Sequence, residues 1–463
     1  MASQATMLNI AWSLQRAEHG EQPYWMLVTL AAMLGQIGTP GGGFGVGYGA
    51  MNSLGHRHRL IRSVTLPQGD NPVSRFIPVA RLSDMLLSPG ADFVYQGRTY
   101  QYPDIRLIYW AGGNPFHHHQ DLNRLRRAWA KPETVIVNEQ YWTATAKHSD
   151  IVLPVTTTLE RDDIGSASGE GVIVAMKRQK DPPGEARDDY DIFAGIAGRL
   201  GAGQTFTQGR DSSAWLERLY ELARLQNASE GVEMPDFPAF WRNGLVDHST
   251  YARAHVMLEA FIRNPERNPL STASGQIEIA SDTISAMNLP DCPGHPVWRG
   301  PREYLGATLA SIFPFHLLSD QPTGRLHSQL DPAAASRAGK VAGREPVHMH
   351  PCDAAERGIR AGDIVELFNG RGRCLAGAVL NIDLMPGVVR MSTGAWFDPD
   401  PSSDLERHGN PIERHGNPNV LTADVAASAF SQGCSAQSCL VDIRKWREAP
   451  PSLAAFDPPE FAN

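Results

Sequence analysis

Little in this chain of 463 residues suits a protein built on nucleic acid, membrane or disulfides. Lys plus Arg number 42 against 50 Asp plus Glu, a net charge of −8, and no long basic block appears. That balance argues against nucleic acid as the main partner. The longest mostly apolar run, Trp25 to Leu34, ends at Gly35 and is too short to span a bilayer, so no membrane insertion is expected. The N-terminus, MASQATMLNIAWSLQR, has no basic segment ahead of an apolar one and does not read as a signal peptide; as written, the chain reads as cytoplasmic. Cysteine is scarce. Cys292, Cys352, Cys374, Cys434 and Cys439 lie too far apart for paired metal knuckles, and an odd number suits no disulfide framework. They read as reduced core thiols, with no structural zinc or iron–sulfur cluster.

Glycine, by contrast, is dense in TPGGGFGVGYGAMN, Thr39 to Asn52. A phosphate-cradling fingerprint needs a strand, then the glycines, then a helix whose N-terminus holds the pyrophosphate. Here the order is reversed. PYWMLVTLAAMLGQIG reads as a helix opened by Pro23 and closed near Gly35, so the glycines follow a helix. The dinucleotide-loop reading is therefore disfavoured.

The clearest local pattern runs from Asp104 to Thr156. IRLIYWA is an apolar strand, GGNP a tight turn, HHQDLNRLRRAWA a helix, ETVIVNE a second strand and DIVLPV a third, which implies a parallel crossover. Ligands in such sheets bind beyond the carboxyl ends of the strands, here Gly112 to Pro115 and Asn138 to Gln140. DYDIFAGIAGRLG and DSSAWLERLYELARLQ add helices. The prolines Pro290, Pro293, Pro296 and Pro301 then deny the chain a helix or central strand, and short glycine-punctuated strands follow. The fold class expected is α/β, with a parallel-sheet domain that binds a ligand at its strand ends, followed by a C-terminal β-barrel. One tandem repeat stands out: Glu406 to Pro411 (ERHGNP) recurs as Glu413 to Pro418, which reads as a short duplication in a surface loop.

Six segments carry a resemblance: AWSLQRAEHGEQPYWMLVTLAAMLGQIGTPGGGFG, WAGGNPFHHHQDLNR, EQYWTATAKHSDIVLPVTTTLERDDI, GEARDDYDIF, GRLHSQL and HGNPNVLTADV. Together the chain resembles the C-terminal portion of a bacterial molybdopterin-dependent oxidoreductase of the dimethyl sulfoxide reductase family, in the branch of biotin sulfoxide and trimethylamine N-oxide reductases. The resemblance implies a barrel of double-psi type. It also implies three parts: residues 1–75 as the end of an α/β domain whose N-terminal part is missing, 76–300 as an α/β domain for molybdopterin guanine dinucleotide, and 301–463 as a barrel domain for the same ligand.

The implied cofactor is molybdenum bis(molybdopterin guanine dinucleotide), and the implied substrates are small S-oxides or N-oxides; the electron donor is unassigned. Trp12 and Arg16 match a turn by the pterins and the substrate funnel. Gly112, Gly113 and Asn114 match a turn that meets the guanosine phosphates, and Asn138, Glu139, Arg161 and Asp189 match the nucleotide pocket. A carboxylate such as Asp189 can accept two guanine N–H donors in parallel. Arg325, His327, Ser328 and Gln329 of GRLHSQ match a turn against a pterin, while Asn419 and Thr422 of NPNVLT, followed by Gln432, match a segment that closes over a pterin. Only the second ERHGNP continues into NVLTADV, so that copy takes the family position. The glycine stretch becomes a connection beside the funnel.

Family members bring the molybdenum-ligating side chain and a catalytic tyrosine from a longer N-terminal part. No metal ligand or catalytic residue is assigned here, and the isolated chain is expected to be inactive. A full-length form with an export signal would be periplasmic. The competing expectation is a non-catalytic truncated chain or subunit that binds the dinucleotide or a separate N-terminal half. A nitrate reductase or formate dehydrogenase relative is the other enzyme reading, and GRLHSQL fits the sulfoxide branch better. FHHHQ, Phe116 to Gln120, invites a metal reading, but adjacent histidines on a helix point in different directions.

Overall fold

The structure, a computed structural model, describes residues 4–47, 55–57, 61–167, 171–249, 253–403 and 405–459. Its N-terminal unit is a strand, Met7–Ile10, a 3-10 turn, Trp12–Arg16, and a helix, Gln22–Leu34, that stops where Gly35 turns left-handed at φ 66°. The chain then returns as the strand Gly43–Val46, parallel to the first, with Met7 opposite Gly43 and Ile10 opposite Val46. Part of the glycine stretch is thus a strand where a connection was expected. Gly43 and Gly45 are buried while Phe44 and Val46 alternate with them, so the glycines let the backbone lie close on the layer beneath. Tyr48 to Asn52, the rest of that stretch, lie outside the described residues.

The expected crossover sheet forms from Leu107–Ala111, Thr134–Glu139 and Ile151–Pro154, all parallel and in that order, with Leu107 opposite Thr134 and Ile136 opposite Ile151. The helix expected between the first two strands is divided into Pro115–His118 and Leu122–Trp129. Asp121 breaks it: its backbone is left-handed at φ 43°, and its carboxylate accepts the Arg124 N–H at 2.9 Å as the cap of the second piece. A satellite core, centred on Ile173, Tyr220 and Phe240, packs the antiparallel strands Asp163–Ser166, Val172–Met176 and Leu245–Asp247 with the helix Ser212–Ser229.

Six strands close the C-terminal barrel, in the order Pro346–Met349, Val388–Met391, Phe315–Leu318, Leu440–Lys445, Ile364–Phe368 and Arg373–Leu380, the last pairing with the first. Two of its contacts are parallel and the others antiparallel, the mixed pattern of a double-psi barrel. The barrel and the parallel sheet share one core: Phe116, Leu122, Leu125 and Trp129 are continuous with Leu317, Met349, Leu367 and Phe397. Burying this seam holds the two layers face to face. All five cysteines are free; Cys374 and Cys439 are buried in the barrel.

Inside the loops at one end of the barrel, Arg325 and Lys340 are enclosed with Asp331 and Glu345, each side chain at most 4% exposed. The Lys340 ammonium lies 3.0 Å from Asp331 and 2.8 Å from Glu345. Removing one member of such a group leaves a buried charge uncompensated. Lys340→Met is accordingly expected to cost about 3–5 kcal/mol in urea unfolding. Lys445→Met, which ends a partly exposed pair with Asp363, should cost less than about 1 kcal/mol. Equal midpoints for the two variants would refute this ranking.

Candidate functional site

The carboxyl edge of the parallel sheet gathers the residues expected to meet a nucleotide. Gly112 and Gly113 follow the strand Leu107–Ala111 with φ of 79° and 75°, and a Cβ at Gly112 would meet nothing within 4 Å. Two consecutive left-handed residues next to open space are a conformation that glycine alone adopts freely, and they leave room beside the backbone for a ligand. Asn114, next in line, accepts a hydrogen bond from the Thr145 hydroxyl at 2.6 Å. On the neighbouring strand Asn138 donates to Asp189 at 2.9 Å and accepts from the Tyr109 hydroxyl at 2.9 Å. Glu139 accepts from the Thr143 hydroxyl at 2.9 Å and the Gln140 N–H at 2.8 Å; burial raises its carboxyl above the usual range. Arg161 donates to the Thr156 carbonyl at 2.9 Å and pairs with Asp163 at 3.2 Å, while Thr156 also donates to Asp188. The seven expected residues Gly112, Gly113, Asn114, Asn138, Glu139, Arg161 and Asp189 thus line one edge.

A second cluster centres on Arg16, in the 3-10 turn Trp12–Arg16. Its guanidinium has no hydrogen-bond partner among the described residues, and it acts electrostatically on His118, His119, His327 and Cys434. The His118 and His327 rings stand 4.6 Å apart, centroid to centroid. Burial drives His118 and His119 down to about 4, and Arg16 adds to the effect; His327 is lowered by the same two causes. All three imidazoles are therefore neutral at pH 7, around a cation. The consecutive histidines diverge, as adjacent helical residues must: His117 stacks on Trp396 with centroids 5.9 Å apart, whereas His118 faces His327. Trp12, 42% exposed, stands against the end of the glycine strand, where a Cβ on Gly47 would come within 2.5 Å of its indole nitrogen.

An unsatisfied atom marks this second cluster as open to a ligand. His327 Nδ1 is buried without a hydrogen-bond partner among the described residues. Buried polar atoms are rarely left so unless something else completes them. The donors and acceptors present fit an anionic ligand rich in hydrogen-bonding edges. Only four residues, Asn114 to His117, separate the turn Gly112–Gly113 from His118, so one short segment links the two clusters.

The barrel's contribution is mostly to grip. Arg325, expected to face a pterin, is turned inward: it donates to the His327 and Thr393 carbonyls and to Ser336, each at 3.0 Å, and so shapes the turn that presents His327 at φ 52°. Ser328 is buried, with its carbonyl accepting from the Trp396 indole, and Gln329 is exposed. Asn419 donates to the His117 carbonyl at 3.1 Å and accepts from Thr422 at 3.0 Å; the Thr422 carbonyl accepts the Asp121 N–H. Gln432 accepts from Arg81 at 2.9 Å and donates to the Val94 carbonyl. The Asn419 side chain and the Thr422 carbonyl therefore fasten the barrel to the histidine turn and the helix that follows it, while Gln432 ties it to Arg81 and to the strand Asp92–Tyr95.

Glu413, which the sequence reading passed over, organises that grip. Its fully buried carboxylate accepts N–H bonds from Asp398 and His415 at 3.1 Å, Gly416 at 2.6 Å and Asn417 at 2.8 Å, and the Cys374 thiol at 3.2 Å. Asn417 in turn donates to the Phe116 and Ala395 carbonyls. The corresponding residue of the first repeat copy, Glu406, is exposed. Burial pushes Glu413 up to about 7, against the pull of the Asn417 and Gly416 N–H groups.

The family model described as molybdopterin oxidoreductase matches residues 1–199, and the molydopterin dinucleotide binding domain matches residues 315–440. Biotin sulfoxide reductase of Cereibacter sphaeroides is 49% identical over 95% of this chain and 58% of its own length. The dimethyl sulfoxide/trimethylamine N-oxide reductase of the same organism is 45% identical over 99% of this chain and 57% of its own length. Trimethylamine-N-oxide reductase of Haemophilus influenzae is 42% identical over 99% and 57%. The chain thus spans a little over half the length of these relatives. Among solved structures, acetylene hydratase from Pelobacter acetylenicus shares the fold, with a TM-score of 0.55 at 18% identity over 74% of this chain and 45% of that one.

Two predictions follow from the grip and the imidazoles. Glu413→Gln places an amide N–H₂ against two backbone donors whichever way it turns, and should destabilise the chain by about 2–4 kcal/mol at pH 8, whereas Glu406→Gln should change unfolding by less than about 0.5 kcal/mol. Matching denaturation curves for the two would remove Glu413 from this role. The second concerns acid. His117 and His415 are lowered to about 3 by burial, so the unfolded chain takes up protons below pH 6.5 that the folded chain refuses. Stability should be complete above pH 6.5 and fall by up to about 1.4 kcal/mol per pH unit for each such imidazole as pH drops towards 4. Glu413 runs the other way, its contribution present below 4.5 and lost towards 7, but it is one group against His117, His118, His119 and His415. A denaturant midpoint that holds constant from pH 7 to pH 5 would contradict this.

Proposed function

The chain belongs to the molybdopterin oxidoreductase family, and from that premise we propose that it forms the nucleotide-binding and barrel portion of a molybdenum-dependent reductase of S-oxides or N-oxides. One observation carries the reading: the Arg16 guanidinium, without a hydrogen-bond partner among the described residues, acts on neutral imidazoles of the turn that follows Gly112 and Gly113. That layout suits a long anionic ligand with a purine at one end. The cofactor is molybdenum bis(molybdopterin guanine dinucleotide), as the names of the matched domains and relatives support.

Asp189 and Asn138 would face the guanine, with one carboxylate able to take two base N–H groups. Gly112 and Gly113 would let phosphate approach their backbone, and Arg16 with His327 would hold the pterin end. When bound, the molybdenum supplies the two-electron chemistry that takes the oxygen atom from the oxide and releases it as water. This chain's own part is to orient the ligand and to keep His118, His119 and His327 neutral acceptors beside it. No electron donor is assigned. No described helix is long and apolar enough to cross a membrane.

A second reading, a chain that binds dinucleotide or a partner half without turnover, is favoured by one feature. Met26, Leu30 and Met33 are exposed along one side of the helix Gln22–Leu34, which covers a sheet of only two parallel strands. Parallel sheets are ordinarily covered on both faces. Expression with cofactor-replete extract decides between the two: bound molybdenum with turnover by reduced viologen supports the reductase alone, and bound dinucleotide without turnover supports the second reading.

The binding assignment has its own test. GDP should bind the chain more tightly than ADP, and Asp189→Asn should cost GDP roughly tenfold in Kd while leaving ADP unchanged, about 1.4 kcal/mol for the lost base contacts. Equal effects on both nucleotides in calorimetric titrations would sink the guanine assignment.

A further inference from the structure

Beyond the barrel's last strand the chain crosses back towards the parallel sheet, and each step of that path is fastened. The Pro451 carbonyl accepts from Arg344 at 2.6 Å, and the Ala454 N–H donates to Asp398 at 2.9 Å. The Phe456 ring stands edge-on to Trp396, 5.4 Å away, and to His415, 5.0 Å away. The strap's tie to the sheet layer is Lys147, whose ammonium donates to the Ala454 carbonyl at 2.9 Å and to Ala455 at 3.1 Å. Below the strap lies a cavity of about 220 Å³, lined in part by His415, Lys340, Leu453 and Phe456.

Both anchors lead to the site. Lys147 closes the helix Ala144–Lys147, whose Thr145 hydroxyl holds Asn114 and whose capping Thr143 holds Glu139. Trp396, gripped by Phe456, stacks on His117 at the centre of the histidine turn. A four-residue helix has little stability of its own. Its place is therefore set by what grips its ends, and the strap grips one of them. An ammonium on two neutral carbonyls, with burial lowering Lys147 from its ordinary value, makes a bond set that can open without stranding a partner carboxylate.

We propose that Lys147 and the strap Pro451–Phe456 form a latch, in which Lys147 is a positioning residue that holds the Asn114–Glu139 edge in its ligand-binding arrangement and delays release of a bound guanine dinucleotide. The inference rests on the nucleotide reading above and adds the element that retains the ligand. With the latch closed, the short helix, the glycine turn and the barrel move as one body. With it open, the edge loosens while the shared core stays packed, since the side chains of that core do not include the strap.

The test uses Lys147→Met, which keeps the aliphatic stem, Lys147→Arg, which keeps the donors, and a fluorescent GDP as the probe. Release from Lys147→Met should be roughly tenfold faster than from the unaltered chain, with a similar association rate and an unfolding midpoint within a few degrees; Lys147→Arg should recover most of the slow release. Hydrogen exchange of residues 112–119 is read in parallel without nucleotide and should quicken in Lys147→Met alone. Unchanged release together with unchanged exchange overturns the latch, as does loss that Lys147→Arg fails to recover. If the unaltered chain binds no GDP, the nucleotide reading fails, and exchange over 112–119 still decides the latch.

Discussion

A buried carboxylate, that of Glu413, meets four backbone N–H groups and a thiol where the barrel reaches the parallel sheet. A carboxylate removed from water is costly, and hydrogen bonds of this number are what make it tolerable. Its geometry bends residues 415–417 so that Asn417 reaches the Phe116 carbonyl and Asn419 the His117 carbonyl. The histidine turn is thus held from the barrel side. The apolar seam supplies most of the adhesion, but an apolar seam tolerates sliding; the Glu413 bonds give it a register.

Charge is distributed in keeping with that division. The pairs that hold the barrel loops, Arg325 and Lys340 with Asp331 and Glu345, are enclosed and mutually satisfied. Arg16 is the opposite case, a cation without a hydrogen-bond partner among the described residues, beside imidazoles that burial keeps neutral. A self-contained ion cluster stabilises and a solitary cation in a polar surface waits for an anion. The two kinds of arginine, which look alike in sequence, are separated by what surrounds them.

That separation marks the limit of what the sequence disclosed. Strands at Leu107–Ala111 and Thr134–Glu139 were legible from apolar runs bounded by turn residues, and the glycine turn followed from their order. The resemblance named Asp189, Asn138 and Arg16, of which the structure sets the first two together at the sheet edge and the third in the turn Trp12–Arg16. It could not tell Arg325, spent on the His327 and Thr393 carbonyls, from Arg16, because both are arginines in short polar motifs. Two local departures had single-residue causes: Asp121, left-handed, divided an expected helix, and the alternation of glycine with Phe44 and Val46 made a strand of an expected connection. Glu413 was hidden within a repeat whose two copies are identical over six residues. The residues that follow set the two copies apart, but only the fold shows that one glutamate is buried and the other exposed.

The central claim is that the guanine edge and the Arg16 cluster belong to one ligand. Imidazole titration by NMR tests it most directly, in the free chain, with GDP, and with molybdopterin guanine dinucleotide. The account predicts that the full dinucleotide, by placing negative charge beside Arg16, raises the pKa of His118 and His119, whereas GDP, confined to the sheet edge, leaves both near their free values. Full dinucleotide bound with His118 and His119 unmoved would contradict it.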